Sequence, residues 1–323
     1  MAVKFGVFVP QGWRMDLTEI TDPIEQYETM TRLAQAADEL PQLDSIWVFD
    51  HFHTVPRPTK NTTFEAWMIT AGLLRDTKRI NVGQMVTCNG YRHPSLLAKM
   101  ASTADVMGHG RLYFGLGGGW YEHEWKAYGF GFPTTRERMG AFREGCEIVH
   151  KMWTEDAPTF TGEYYHIDKP INEPKGVRKP HPSFWIGGGG EQVTLKLVAQ
   201  YGDACNLWNP RPEEVKHKLD VLRRHCAEVG RDYESITRSV GLFLYPLGPG
   251  ESDERAVAHA KLMLGMSADT ARERVIGTPE VIRQRLQAYV DAGIDYVLAE
   301  FPGVAYDPSL LQRFAEEVVP HFQ

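Results

Sequence analysis

Eight short apolar runs alternate along this chain with eight segments whose apolar residues recur every three or four positions. The runs are Val3–Val9, Ser45–Phe49, Ile80–Val86, Leu112–Leu116, Phe184–Ile186, Ala204–Trp208, Ser239–Tyr245 and Tyr296–Phe301. Each is bounded by turn residues, which suits a strand buried on both faces. The intervening segments read as helices over Asp22–Leu40, Thr62–Asp76, Leu96–Met107, Arg136–Met152, Val193–Tyr201, Pro212–Val229, Thr278–Ala292 and Leu310–Val319. Asp22-Pro23 and Thr278-Pro279 supply a cap followed by proline at the first helical position, and Gly230 and Gly293 are stop signals. Strands separated by helices imply a parallel sheet. An open doubly wound sheet has the same periodicity, but a count of eight favours the closed (β/α)₈ TIM barrel of the α/β class. Two stretches break the rhythm: Trp153–Pro182 after the fourth strand and its helix, and the region from Gly248 after the seventh, with helical patches at Glu254–Met263 and Ala268–Val275. They read as insertions into a single domain spanning 1–323.

The chain has 323 residues and a net charge of −7, with acids and bases scattered. No clustered basic face is indicated, which argues against nucleic acid as a partner. The four cysteines, Cys88, Cys146, Cys205 and Cys226, are widely spaced without a C-x-x-C pair, which fits a reducing compartment. Lys4 interrupts the first apolar run and no cleavage signature follows. No apolar stretch approaches the roughly 18 residues of a membrane span. The expectation is a cytoplasmic protein without membrane contact.

In a parallel barrel, ligands collect beyond the carboxyl ends of the strands, so the chemistry is sought in the loops that follow them. Gly115-Leu-Gly-Gly-Gly-Trp120 follows the fourth strand, and Gly187–Gly190 the fifth. Neither is a G-x-G-x-x-G fingerprint, yet both allow a backbone to approach a ligand and direct amides at it. The second run precedes a helix, where amides favour an anion such as phosphate. A tight turn with no ligand is the alternative for either run alone. Asp50-His51 ends the second strand; a histidine there faces the barrel mouth and can move a proton near neutral pH, unless it is a wall residue satisfied by hydrogen bonds. His51-Phe-His53 offers two imidazoles but no third ligand at convincing spacing, so no metal site is expected. Cys88 reads as inert packing rather than a nucleophile, since no cation is assignable beside it. Tyr91-Arg92-His93-Pro94 suits either an anion site or a loop-closing turn before a helix. Trp120, Tyr121, Trp125, Tyr128 and Phe130 wall a flat ligand or pack their own loop.

Taken together these motifs resemble the luciferase-like monooxygenase superfamily, and within it the branch dependent on coenzyme F420, an 8-hydroxy-5-deazaflavin. The resemblance runs from Phe5-Gly-Val-Phe-Val-Pro-Gln11 and Asp44–His51 through Val86–Pro94, Gly110–Trp120 and Tyr128-Gly129. It continues over Pro182–Gly190 and Asp203–Asn206 to Gly277-Thr-Pro279 and Gly293. It implies a deazaflavin-dependent oxidoreductase passing hydride between C5 of the coenzyme and a small organic substrate, with an FMN-dependent monooxygenase as the alternative. It implies that Asp50 and the catalytic His51 lie near the ring. A bulge, often a non-prolyl cis peptide, maps to Met85-Val86 against the back of the ring, and Cys88 matches a ring contact. Gly117, Gly118, Gly119 and Trp120, with Gly188, Gly189 and Gly190, match the turns that hold the ring edge and the phosphate. A homodimer is implied as well. Trp120 stands where the sugar-phosphate dehydrogenase branch carries a glutamate, which disfavours glucose 6-phosphate and favours an apolar or aromatic acceptor. Lys175, Arg178 and Lys179 are candidates for the coenzyme's anionic tail, or simply a solvated loop.

Overall fold

The computed structural model describes residues 2–323. Eight parallel strands close on themselves: β1 (Lys4–Phe8), β2 (Ser45–Val48), β3 (Asn81–Gln84), β4 (Leu112–Gly117), β5 (Ser183–Gly187), β6 (Ala204–Trp208), β7 (Thr237–Phe243) and β8 (Tyr296–Glu300). Each strand pairs with the next, and β8 pairs back to β1 with Lys4 opposite Tyr296. The expected (β/α)₈ barrel is therefore the fold.

The helices that cover it are α1 (Pro23–Glu39), α2 (Ala66–Asp76), α3 (Pro94–Met107), α4 (Thr135–Thr154), α5 (Thr194–Tyr201), α6 (Pro212–Val229), α7 (Pro279–Asp291) and α8 (Ser309–Arg313). Their starts follow the expected cap chemistry. The Asp22 carboxylate accepts from the amides of Ile24 and Glu25, and Thr134 and Glu137 form a capping box ahead of α4. α2 begins later than the periodicity predicts, because the Glu65 side chain caps it by accepting from the Met68 amide. The first irregular stretch holds an antiparallel hairpin, Thr159–Thr161 with His166–Asp168. The second holds helices Glu254–Leu264 and Ala268–Arg274 and a short parallel pair, Tyr245-Pro246 with Ile276-Gly277.

Two apolar layers result. One lies between strands and helices. The other fills the barrel and includes Phe8, Trp47, Phe49, Tyr113, Trp185, Tyr296 and Leu298. The indole of Trp47 occupies the space beside Gly6 and Gly83, and that of Trp208 the space beside Gly241, so large side chains face missing ones, as a narrow barrel demands. Below them a polar plug closes the amino end of the strands. Asp44 accepts from Tyr113 Oη at 2.9 Å and Tyr296 Oη at 2.7 Å, and Ser45 Oγ accepts from Trp47 Nε1 at 2.6 Å. With that end filled, the open space lies at the carboxyl end.

The third strand departs from the expected unbroken run over Ile80–Val86. Between the pairs Gly83/Tyr113 and Thr87/Leu116, four residue steps on one strand match three on the other. The extra residue makes a bulge, and within it the Met85–Val86 peptide bond is cis. Regular pairing resumes at Thr87-Cys88.

Candidate active site

At the carboxyl end of the strands lies a cavity of about 480 Å³. That is within the range of about 300–1,000 Å³ usual for small-molecule and cofactor sites. Of the residues expected there, Asp50, His51, Met85, Val86, Cys88, Gly117, Gly118, Gly119, Trp120 and Gly188 line it. Gly189 lines an adjoining groove with Trp208, Asn209 and Lys218, and Gly190 is solvent-exposed at the turn. Helix α5 starts only at Thr194, so the run Gly187–Gly190 is separated from its first amide by a turn.

Val86 projects from the bulge between two glycines. A β-carbon on Gly117 would lie 2.6 Å from Val86 Cγ2, and one on Gly187 would lie 2.7 Å from Val86 Cγ1. Only the absence of side chains at these positions lets β4 and β5 stand flush with it. Gly119 has φ +76°, and a β-carbon there would meet Cys88 Sγ at 2.5 Å. Burial pushes the Cys88 thiol far above the ordinary range, and the nearby Asp50 charge adds to this. It is a packed thiol, as its surroundings in sequence suggested.

Asp50 is buried and fully engaged. Its carboxylate accepts from the Cys88 amide at 2.9 Å and from both terminal nitrogens of Arg92, at 2.7 and 3.1 Å. Arg92 also pairs with Glu65. His93 caps α3 by accepting from the Ser95 amide, and Pro94 takes the first helical position. Of the two readings of Tyr91–Pro94, the turn is what forms, and the Asp50–Arg92 pair ties the end of β2 to the bulge.

His51 is organised by a residue the sequence did not single out. Its Nδ1 lies 2.8 Å from Glu124 Oε2. Glu124 is fully buried in a short helix, Glu122–Ala127, inside what the periodicity predicts as an aromatic loop. The same carboxylate accepts from the amides of Phe52 and His53, each at 2.8 Å, and from Tyr91 Oη at 2.9 Å. Burial by itself would raise the Glu124 carboxyl. The hydrogen bond to His51, its charge and the two amides outweigh burial and hold it below the usual range. A carboxylate can only accept, so Nδ1 carries the proton and Nε2 is the nitrogen left without that partner. Trp13 lies flat on the imidazole, with ring centroids 4.1 Å apart at 3°.

Trp13 and Arg14 come from the loop after β1, which reads as polar in sequence. Instead Trp13, Met15 and Leu17 are buried there, and Gln11 clamps the loop by donating to the carbonyls of Phe49 and Phe64 at 2.7 Å each. The available signals were positional: a loop following a barrel strand, and two carboxylates, Glu122 and Glu124, amid the aromatics of Trp120–Tyr128. Of the five loop aromatics only Trp120 lines the cavity; Trp125 packs beneath it against Cys88 and Tyr91, and Tyr128 and Phe130 pack on Phe52. The basic group falls at the opposite end of the barrel. Lys175 Nζ donates to the Met152 carbonyl at 3.1 Å, at the end of α4, and the Arg178 guanidinium sits 5.1 Å over Tyr113 at the start of β4. These residues therefore do not reach the cavity.

Glu300, at the end of β8, is buried and its carboxyl is pushed up to about 7, because desolvation exceeds the attraction of Arg14. A folded value above the unfolded 4.5 means the native state holds the proton more tightly. The associated stability is full below about pH 4.5 and lost as pH rises through about 7. Glu300→Gln is expected to flatten the decline in melting temperature measured over that window.

Among the described residues no group of three or more His, Cys, Asp or Glu is placed to hold a metal, and no helix is long and apolar enough to cross a membrane. A closed parallel barrel with a deep pocket and a His–Glu pair at the carboxyl ends of its strands defines a (β/α)₈-barrel enzyme. The chain belongs to the luciferase-like monooxygenase family, whose sequence pattern matches residues 3–274, and it is an oxidoreductase. It is similar to the F420-dependent glucose-6-phosphate dehydrogenase of Amycolatopsis mediterranei (strain U-32), with 26% identity over 306 residues, covering 86% of this chain and 90% of that protein. It is also similar to the oxygenase component of the flavin-dependent trigonelline monooxygenase of Acinetobacter baylyi, with 23% identity, covering 99% and 96%. In structure it matches an F420-dependent secondary alcohol dehydrogenase in complex with an F420-acetone adduct, with a TM-score of 0.82, 21% identity and full coverage of both chains.

Proposed function

We propose that this protein is a deazaflavin-dependent oxidoreductase acting on a small organic substrate with coenzyme F420. The observation that carries the reading is the floor of the pocket: the Met85-Val86 bulge with Gly117 and Gly187 flush beside it, a surface that one added β-carbon would obstruct. Such a floor fits the flat face of a fused-ring coenzyme. Met85 and Val86 would support the ring, Gly117, Gly118, Gly119, Trp120 and Gly188 would hold its edge, and Asp50 and Cys88 would back the wall. Gly189 and Gly190, beside Lys218, would lie toward the phosphate. The coenzyme, when bound, supplies or accepts a hydride at its C5. His51 holds or receives a proton at Nε2, with Glu124 fixing the ring and stabilising the imidazolium. Trp120, in place of an acid, leaves an aromatic rim over the site. The F420-dependent dehydrogenase relatives support this choice of coenzyme.

FMN-dependent oxygenation is the second reading, favoured by the trigonelline monooxygenase relative that spans nearly the whole chain. Fluorescence titration with oxidised F420 and with FMN separates the two. Binding of F420 in preference to FMN is the expected result; tight FMN binding without F420 binding would overturn the proposal. Gly187→Val is expected to weaken coenzyme binding by about tenfold or more, the effect of overfilling a packed site. The same titration checks it. In light scattering the protein is expected to measure twice its 36.6 kDa chain mass, as a homodimer.

A further inference from the structure

The cavity has two unlike halves. Along β3, β4 and β5 it is floored by the bulge and walled by glycines. Beside β1, β2 and β6 it is aromatic, with Trp13, Phe49 and Trp208, and Arg14 is the cation that lines it. The Arg14 guanidinium lies 4.1 Å from the Trp13 ring centroid, 5.0 Å from Phe243, 5.7 Å from Phe49 and 6.0 Å from Trp208. Its nearest counter-charge is Glu300, with Nε 3.3 Å from Oε1. That contact is an ion pair without hydrogen-bond alignment: Arg14 Nε and Glu300 Oε2 are both buried without a hydrogen-bond partner. Asp16, the other nearby acid, has its carboxylate turned to the amides of Gln11 and Gly12, at 3.2 and 2.8 Å. Among the described residues no acceptor is aligned with the buried Nε, and Glu300 is the guanidinium's one ion-pair partner. Buried donors are nearly always satisfied, and a planar fork of N–H groups matches a carboxylate in particular.

We propose that Arg14 is the substrate-recognition cation of this pocket, and that the substrate is an aromatic or conjugated carboxylate, its acid group on Arg14 and its flat body among Trp13, Phe49 and Trp208. This assignment rests on the reading that the glycine-walled half takes the coenzyme. Aromatic walls and one cation suit a planar anion, whereas a sugar would require a ring of hydroxyl-binding side chains. His51 and Arg14 each lie 4.1 Å from the Trp13 ring centroid and both line the cavity, so the proposed anchor and the proposed proton-transfer residue flank one indole. Ionised Glu300 competes with the incoming carboxylate for Arg14; taking up a proton as the ligand arrives relieves that competition.

The test is calorimetric titration of trans-cinnamate and its neutral amide, cinnamamide, into the protein with and without oxidised F420. Wild type is expected to bind the acid at least about tenfold more tightly than the amide, the factor given by one charge-assisted hydrogen bond. Arg14→Gln removes that preference by weakening the acid and leaves the amide within about twofold; Arg14→Lys, which keeps the charge but loses the fork, falls between. Glu300→Gln tightens the acid several-fold, whereas a purely structural ion pair predicts no gain. Equal binding of acid and amide by wild type, or equal weakening of both by Arg14→Gln, overturns the proposal. Fluorescence titration of F420 on the same proteins keeps the two readings apart. Loss of F420 binding with acid preference intact overturns only the coenzyme assignment; F420 binding without acid preference overturns only this one.

Discussion

Replacing His51 by alanine is expected to lower turnover by about 10²–10⁴-fold, the usual contribution of a positioned acid–base group. Coenzyme affinity is expected to stay within about threefold, because the lost interaction belongs to the reaction rather than to binding. The reasoning is geometric. Nδ1 is occupied by Glu124 at 2.8 Å and one ring face by Trp13 at 4.1 Å, so the nitrogen left to act is Nε2, in the wall of the cavity. The check is a stopped-flow record of coenzyme absorbance over a panel of ketones, aldehydes and conjugated acids, paired with fluorescence titration of the coenzyme. Wild-type rates from the alanine variant on every substrate would remove His51 from the chemistry.

A larger effect on folding is expected at Glu124. Glu124→Leu leaves His51 Nδ1–H, the amides of Phe52 and His53 and the Tyr91 hydroxyl without their acceptor, all within a buried pocket. Breaking a buried charged network of this kind costs about 3–5 kcal/mol, a large share of the 5–15 kcal/mol of a typical fold. Glu124→Gln keeps one acceptor oxygen and is expected to lose about 1–3 kcal/mol. The sign of the pH effect follows from the depressed carboxyl. Its stabilisation is present above the unfolded value of 4.5 and is lost as pH falls through the lower folded value. Glu124→Gln should therefore unfold with less acid sensitivity than wild type. Urea titrations followed by tryptophan fluorescence report both effects; a leucine variant with the wild-type midpoint and slope would show that Glu124 clamps nothing.

The barrel was legible because its signals are local. A strand buried on both faces is a short apolar run and a covering helix is a 3.6-residue repeat, and each is decided within about a dozen residues. The two glycine turns and Asp50-His51 were legible for a related reason: in a parallel barrel, sequence position after a strand gives spatial address. Charge without such an address misled. Lys175, Arg178 and Lys179 sit in an insertion whose path no periodicity specifies, and they cap carbonyls and cover a tyrosine at the far end.

The chain by itself determined the order and type of its elements, the end at which chemistry would gather and the identity of the histidine there. Only the tertiary structure decided what that histidine and the pocket can do. His51 and Glu124 are 73 positions apart, and Arg14 meets Glu300 from the opposite end of the chain. No spacing rule links such pairs, because the closure of the sheet, not the local backbone, brings their side chains together. Burial then supplies what composition cannot: one carboxyl held down by an imidazole and two amides, another pushed up beside an arginine, and a guanidinium whose buried Nε has no aligned acceptor.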